Sequence, residues 1–511
     1  MASENKQLSI NLIASIATYF VQYAISLVLT PYIVKELGVA AYGFVGLSTQ
    51  IIGYSSLITI ALNSMAGRFI SIEYYKGNIE KANMYFSSVF YGNLIIGAVL
   101  FVISCFMVIF LDLIINIPPD LVVDVKMLFA FLAINAILGI LANVYSVSTF
   151  IKNRLDYANI RNIIGNIIRA VVLVVCFSLF APKVWYFGFT GIICTIYIFV
   201  TNYKFAKRLT PDLQICKKKY DLHCVKELIV SGSWNVLTKL SVILEYGLNL
   251  LIANLFIGPV LAGTLALSMT IPTMIHSVCG MMASNFAPSW THLYANKNRQ
   301  KMLKEILKSI RIMGFMSSIP LAVFLAFGDT FFSLWVPQEN ATELYWLAAV
   351  GSLVMLVAMP LETLWNVFTI TNQVKKSSVN LFEYSILTII IVLVGMLITD
   401  DNIVRLFIIA STRSIVSSIR TMTFLPIQGA KCLGYSLTTF YPPVFRNLFC
   451  VILIFLISLT FKTIISSTWS GLILGCLCTC IIGIIVNVLF TLTKVDREYL
   501  FDKLCGYRKY M

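Results

Sequence analysis

The sequence predicts an all-α integral membrane protein of about fourteen transmembrane helices. They group as two parallel six-helix lobes followed by two further helices, with both termini inside. Three observations lead there. Of 511 residues, 59% are hydrophobic and only 12% charged, where a water-soluble domain carries about a quarter charged. The apolar runs recur at about 20 residues, the length that spans a bilayer as a helix. Finally, Lys and Arg alternate in density from loop to loop. Together these exclude a soluble enzyme, a secreted disulfide scaffold and a disordered chain.

Taken in order, the expected spans are 10–34, 42–65, 86–111, 127–149, 161–181, 184–203, 231–256, 260–287, 306–328, 344–369, 380–399, 403–425, 445–461 and 471–492. Of the 38 basic residues, 29 fall at the ends and loops that are cytoplasmic if the N-terminus is inside. Only Lys35, Lys126, Lys183 and Lys462 fall on the other side, and five lie within spans. That asymmetry supports the span count and the N-in, C-in orientation. It also accounts for the net charge of +15 without nucleic acid as a partner. The first segment is read as a retained span rather than a removed signal peptide.

The expected domains are a six-helix lobe over 1–203, a basic connector over 204–230, a second six-helix lobe over 231–425, and two additional spans with a basic tail over 426–511. The connector carries Lys204, Lys207, Arg208, Lys217, Lys218, Lys219 and Lys226 and is expected along the anionic inner leaflet. The outside loops are short, the longest running from Asp329 to Glu343. It contains an Asn340-Ala341-Thr342 triplet of glycosylation type. The twelve cysteines imply no disulfide framework. Cys476, Cys478 and Cys480 alternate and so cannot converge on one metal from a helix. Cys216, His223 and Cys224 lack a second ligand pair at zinc spacing.

An internal repeat supports the two lobes. Shifted by 220, residues 38–81 align without a gap on 258–301, with nine of 44 positions identical. These are Gly38/Gly258, Gly43/Gly263, Leu47/Leu267, Ser48/Ser268, Ile51/Ile271, Ser64/Ser284, Tyr74/Tyr294, Asn78/Asn298 and Lys81/Lys301. Each copy spans the first external turn, the second span and the basic loop of a six-span block. Because six is even, both blocks cross in the same sense, and a substrate site is expected at the repeat interface.

Charge within the bilayer marks the candidate site, because a central Arg or Lys costs roughly 2.5–3.5 kcal/mol even on lenient scales. Arg169 in span 5 shares a helical face with Asn162 and Asn166. It either answers a carbonyl cluster or lines a cavity, the reading favoured here. In span 7, Asn235, Lys239, Tyr246 and Asn249 form a polar stripe beside Thr238, Ser241 and Glu245, with interhelical ion pairs as the alternative. Span 12 carries Arg405, Arg413 and Arg420 within about 80° of arc. The outer two can snorkel to the interfaces, which leaves Arg413 to face a cavity. His276 in span 8 is either a packed histidine or a protonation switch. Glu362 and Glu383 lie towards span ends, where local pairing explains them. No Asp or Glu falls inside the first six spans. A net cationic interior suits an anionic substrate whose phosphate oxygens Arg can grip in pairs.

The run Leu37-Gly38-Val39-Ala40-Ala41-Tyr42-Gly43 resembles the L-G-x-x-x-Y-G turn of the bacterial polysaccharide-repeat (O-antigen type) flippases. The loop Tyr74-Tyr75-Lys76-Gly77-Asn78-Ile79-Glu80-Lys81-Ala82 and the six-plus-six-plus-two layout resemble that family too. It belongs to a superfamily that also holds multidrug extruders and lipid II flippases. The resemblance implies a V-shaped, two-lobed fold in the bacterial inner membrane. It implies movement of a polyprenyl-pyrophosphate-linked oligosaccharide from the cytoplasmic to the periplasmic leaflet, among membrane lipids and other polysaccharide-assembly proteins. Arg169, Lys239 and Arg413, with Asn166, Asn235 and Tyr246, would then line the cationic cavity between the lobes. No cofactor is expected; coupling to protons or sodium, where the cycle uses it, falls to Glu245 or His276.

Three competing readings remain. A multidrug or cation antiporter would want a membrane-embedded acid in the first lobe. A membrane-embedded glycan polymerase would want room outside the bilayer for sugar chemistry. A major-facilitator carrier would want a Gly/Asp/Arg loop where this chain has Gly67-Arg68-Phe69-Ile70-Ser71. No phosphate-binding G-x-x-x-x-G-K-[ST] loop is present.

Overall fold

A computed structural model of the protein describes residues 2–295, 297–493 and 497, and among them there is no strand. Among the described residues ten helices are long and apolar enough to cross a membrane, or up to fourteen when each of four bent helix pairs counts as one span. The chain is a multi-pass membrane protein. It packs as two compact units, the first ending at Ala266 and the second beginning at Leu267.

In the first unit the spans are α1 (Ala2–Leu37), α2a (Val39–Gly53) with α2b (Ser56–Tyr75), α3 (Ile79–Ile109), α4 (Val122–Ile151), α5 (Leu155–Leu179), α6 (Tyr186–Leu209) and α7a (Leu222–Val242) with α7b (Asn249–Phe256). The next helix, α8a (Pro259–Ser268), crosses the boundary after Ala266. Caps set the starts: Asn78 accepts from Lys81 N ahead of α3, and Asp221 accepts from His223 N ahead of α7a, each satisfying an orphan helix donor. α4 packs along α6, α1 along α5, and α2b along α7a. The last contact is close, because a Cβ on Gly232 would lie 2.1 Å from the Ala61 carbonyl oxygen.

Two spans of this unit are broken, which the continuous segments 42–65 and 231–256 did not anticipate. α2 bends by 58° between its halves, and α7 bends by 40° after a π-helical turn at Ile243–Gly247. The breaks meet. Tyr54, at the break in α2, donates its hydroxyl to the Gly247 carbonyl at 2.6 Å. That satisfies an oxygen which the irregular turn leaves without a regular helical partner.

The connector is fastened to the start of α3. Gln214 N donates to Asn83 Oδ1 at 2.6 Å and Asn83 Nδ2 to the Asp212 carbonyl at 3.0 Å. Cys216 N and Asp221 N donate to Ser87 Oγ and Ser88 Oγ, each at 3.0 Å. Lys217 and Lys218 stay exposed.

The second unit contains α8b (Thr270–Ser284), α9 (Arg299–Trp335), α10a (Ala341–Ser352) with α10b (Met355–Leu361), α11 (Val374–Ile398), α12 (Asn402–Thr423), α13 (Tyr441–Lys462) and α14 (Trp469–Phe490). Asn298, Asn340, Asp401 and Thr468 cap α9, α10a, α12 and α14. The Asn340 side chain of the glycosylation-type triplet is thus engaged with Glu343 N. The two final helices pack on the 37-residue α9. A polar seam runs there, with Asn487 Nδ2 on Ser318 Oγ at 2.8 Å and Thr479 on Ser458 Oγ at 3.0 Å.

The internal repeat reappears as matched local geometry. Gly38 and Gly258 both take positive φ, +84° and +117°. So do Gly77 and Lys297, at +79° and +53°, the second strained for a residue with a Cβ. Asn78 and Asn298 cap their helices through the same atoms, on the nitrogens of Lys81 and Lys301. The repeat-equivalent Gly43 and Gly263 touch: a Cβ on Gly43 would sit 2.7 Å from the Gly263 Cα. Glycine is required there because two helix backbones meet.

Candidate functional site: a cationic cavity in the first unit

α1 carries uncharged polar residues down one face: Asn11, Ser15, Thr18, Gln22, Ser26 and Thr30. Spacings of three and four stack them on the side towards α5. The inner half of this seam is zipped. Asn11 Nδ2 donates to the Asn153 carbonyl at 3.2 Å, and Asp156 N donates to Asn11 Oδ1 at 3.0 Å. Asn159 Nδ2 donates to Ser15 Oγ at 2.8 Å, and Thr18 Oγ1 reaches the Asn159 carbonyl at 3.3 Å. Beyond Thr18 the zip opens into a cavity of about 240 Å³. Its polar wall is Gln22, Ser26, Thr30, Tyr42, Asn166 and Arg169, and the rest is apolar.

The cavity wall holds no Asp or Glu. Arg169 is partly buried and makes no ion pair or hydrogen bond among the described residues. A guanidinium held in a bilayer-spanning helix against a polar recess offers five donors to whatever enters. Chemically the recess can receive an anion or a cluster of acceptor oxygens.

The other expected residues lie elsewhere. Asn162, expected beside Asn166, instead accepts from Arg161, at 3.3 Å from Nε and 3.0 Å from Nη2. Arg161 is itself buried and reaches Asn202 Oδ1, while Asn202 Nδ2 donates to the Ala142 carbonyl at 2.9 Å. Asn235 and Lys239 are partly buried on α7a and do not line the cavity. Lys239 has no ion pair among the described residues. The straight-helix stripe joining them to Tyr246 and Asn249 breaks at the π-helical turn, which changes the register. Glu245 sits in that turn and is only 3% exposed.

In the second unit His276 is partly buried on α8b and Arg413 on α12. Arg405 binds locally: its Nε donates to the Thr399 carbonyl at 2.6 Å, and its Nη2 to the Met396 carbonyl at 2.9 Å and Asp400 Oδ1 at 3.0 Å. It closes the C-terminus of α11. Arg420 does not snorkel as expected; it is 7% exposed and stands over the Trp365 ring at 5.4 Å.

No family description matches the chain. A relative from Bacillus subtilis (strain 168), the uncharacterized membrane protein EpsK, is 26% identical over 498 residues and 97% of each chain. The fold is shared more widely. An inward-facing multidrug resistance MATE family transporter of the MOP superfamily superposes with a TM-score of 0.66 at 14% identity, covering 84% of this chain and 99% of its own. The chain shares its helical fold with that protein. The lipid II flippase MurJ in an inward closed conformation has it too, with a TM-score of 0.63 at 12% identity over 94% of this chain and 97% of that one.

Proposed function

We propose that the protein flips a polyprenyl-pyrophosphate-linked oligosaccharide repeat unit from the cytoplasmic to the periplasmic leaflet of the bacterial inner membrane. It does so by alternating access and serves O-antigen or capsule synthesis. The observation that carries this reading is the acid-free recess around Arg169, which suits an anionic headgroup and repels none of its charge. The transporter fold, shared with a protein described as a lipid II flippase, supports it. Such a protein moves its cargo without making or breaking a bond in it and is not an enzyme.

In this reading residues 1–203 and 231–425 act as parallel lobes, with 204–230 as connector and 426–511 as the added spans; both termini lie inside. Arg169, Lys239 and Arg413 replace part of the diphosphate's hydration, with Asn166, Asn235 and Tyr246 beside them. Several dispersed cations bind and still release. Glu245 or His276 carries any coupling to protons or sodium.

The test uses a deletion strain and an impermeant periplasmic reagent that modifies exposed lipid-linked sugar. Units should stay protected, become accessible with the wild-type gene, and stay protected with alanine at Arg169, Lys239 and Arg413 at normal protein levels. Normal accessibility in the deletion strain would sink the flippase reading. One feature favours drug or cation antiport as the second reading: the acid Glu245, buried in an irregular turn. Dye sensitivity of the same strain distinguishes it.

A further inference from the structure

A second pocket in the first unit lies apart from the Arg169 recess, at the ends of α3, α4 and α6 where the connector begins. It measures about 500 Å³, and Phe86, Tyr145, Tyr203, Lys207, Leu213 and Gln214 line it. Its floor is aromatic: the Tyr145 ring meets Phe86 and Tyr203 edge-on at 6.1 and 5.4 Å. Lys207 Nζ stands 4.7 Å from the centre of the Tyr203 ring. No Asp or Glu lines the pocket, and Lys207 has no ion pair among the described residues. The outer wall is built, because Leu213 is buried and Gln214 is fixed by its backbone nitrogen to Asn83.

Depth and charge identify the occupant. Phe86, Tyr145 and Tyr203 each lie six or seven residues from their helix ends, roughly 10 Å along the axis. With those helix ends at the membrane surface, that depth matches the step from headgroups to hydrocarbon. On the same last turns of α6, Lys204 and Arg208 are exposed as well. Aromatic walls with one available cation fit a phosphate diester that carries a small polyol and drags acyl chains.

We propose that this pocket binds the headgroup of an anionic glycerophospholipid from the cytoplasmic leaflet. Its phosphate rests on Lys207, its headgroup hydroxyls meet Gln214 and the phenols of Tyr145 and Tyr203, and its acyl chains remain in the bilayer. The bound lipid joins the connector to three helices of the first unit.

The full-length protein in detergent, mixed with phosphatidylglycerol or phosphatidylcholine, is read by native mass spectrometry for retained lipid. Wild type should keep phosphatidylglycerol. Lys207→Gln should lower retention about fivefold, the worth of one basic residue at an anionic surface. Lys218→Gln, in the connector but outside the pocket, should leave it unchanged, and phosphatidylcholine should be held no better than phosphatidylglycerol on Lys207→Gln. Lys207 is exposed, and an unchanged thermal midpoint verifies that the variant folds. Equal retention by Lys207→Gln and wild type, equal loss in Lys218→Gln, equal retention of both lipids, or displacement by soluble glycerol phosphate would each overturn the proposal. Transport plays no part in the readout, so this proposal and the flippase reading fail separately.

Discussion

Arg169 sits where an arginine is costly unless something answers its charge, and the polar groups that share its recess are dipoles only: Gln22, Ser26, Thr30, Tyr42 and Asn166. If an anionic headgroup supplies the missing charge, Arg169→Ala should lower leaflet transfer at least tenfold with normal protein abundance. Arg169→Lys should restore part of it, since the charge returns without the planar fork. Unchanged transfer in the alanine variant would remove Arg169 from the cargo path. Outside the spans, Asp112 pairs with Lys126 at 2.7 Å, and that hydrogen bond holds its carboxyl below the usual carboxylate range. A depressed carboxyl contributes stability above its unfolded pKa of about 3.9 and loses it as pH falls through the folded value. Unfolding midpoints of wild type and Asp112→Asn should therefore differ at pH 6 and converge in stronger acid. That Arg169 and Asn166 share a helical face was legible because both lie on one continuous helix, and both line the same recess. The α1 partners Gln22, Ser26 and Thr30 were missed because they are neutral. Their spacing was present in the sequence, but a search for charge passes over it. Asn162, one turn before Asn166, does not line the recess; its amide oxygen accepts from the adjacent Arg161.

The existence of the spans was legible because hydrocarbon thickness sets their length; the cap at Asp401 agrees with the expected start of α12, whereas Asn78 and Asn298 start α3 and α9 well ahead of the apolar runs. The breaks in α2 and α7 were not legible, since no proline marks them and each depends on a partner 193 residues away in sequence. Tyr54→Phe removes the hydroxyl that answers the Gly247 carbonyl and should cost about 1–3 kcal/mol, read as a lower melting temperature of the purified protein. Tyr54→Phe melting with wild type would show that water serves that carbonyl equally well. Tyr246 and Asn249 were joined to Lys239 by a period of 3.6 that the π-helical turn does not keep.

At the scale of the molecule, the basic asymmetry is steeper than its count. Three of the four outside lysines are neutralised by aspartates: Lys126 by Asp112, Lys183 by Asp124 at 3.4 Å, and Lys462 by Asp329 at 2.6 Å. The outside face thus presents little free positive charge, while the connector presents a great deal. In a chain whose native cysteines are replaced, a cysteine at Ser466 should react with an impermeant thiol reagent on intact cells. One at Lys218 should react only after permeabilisation. The reverse pattern would invert the orientation. The orientation expected from composition rests on loop charge summed over many residues. The division of packing at Ala266 was not legible in the sequence, because it depends on where α7a lies against α2b, which no periodicity encodes.

The contact between Gly43 and Gly263 reaches beyond packing. These are two copies of one position, so a chain that carries the repeat meets its own likeness there, and neither copy can drift alone. Enlarging either side chain wedges open the same seam. Gly43→Val and Gly263→Val should each destabilise by about 1–3 kcal/mol, yet the double variant should cost much less than their sum, since the gap is opened only once. The protein thus keeps at this crossing a shared inheritance that its two halves must spend together, however far the remainder of their sequences has diverged.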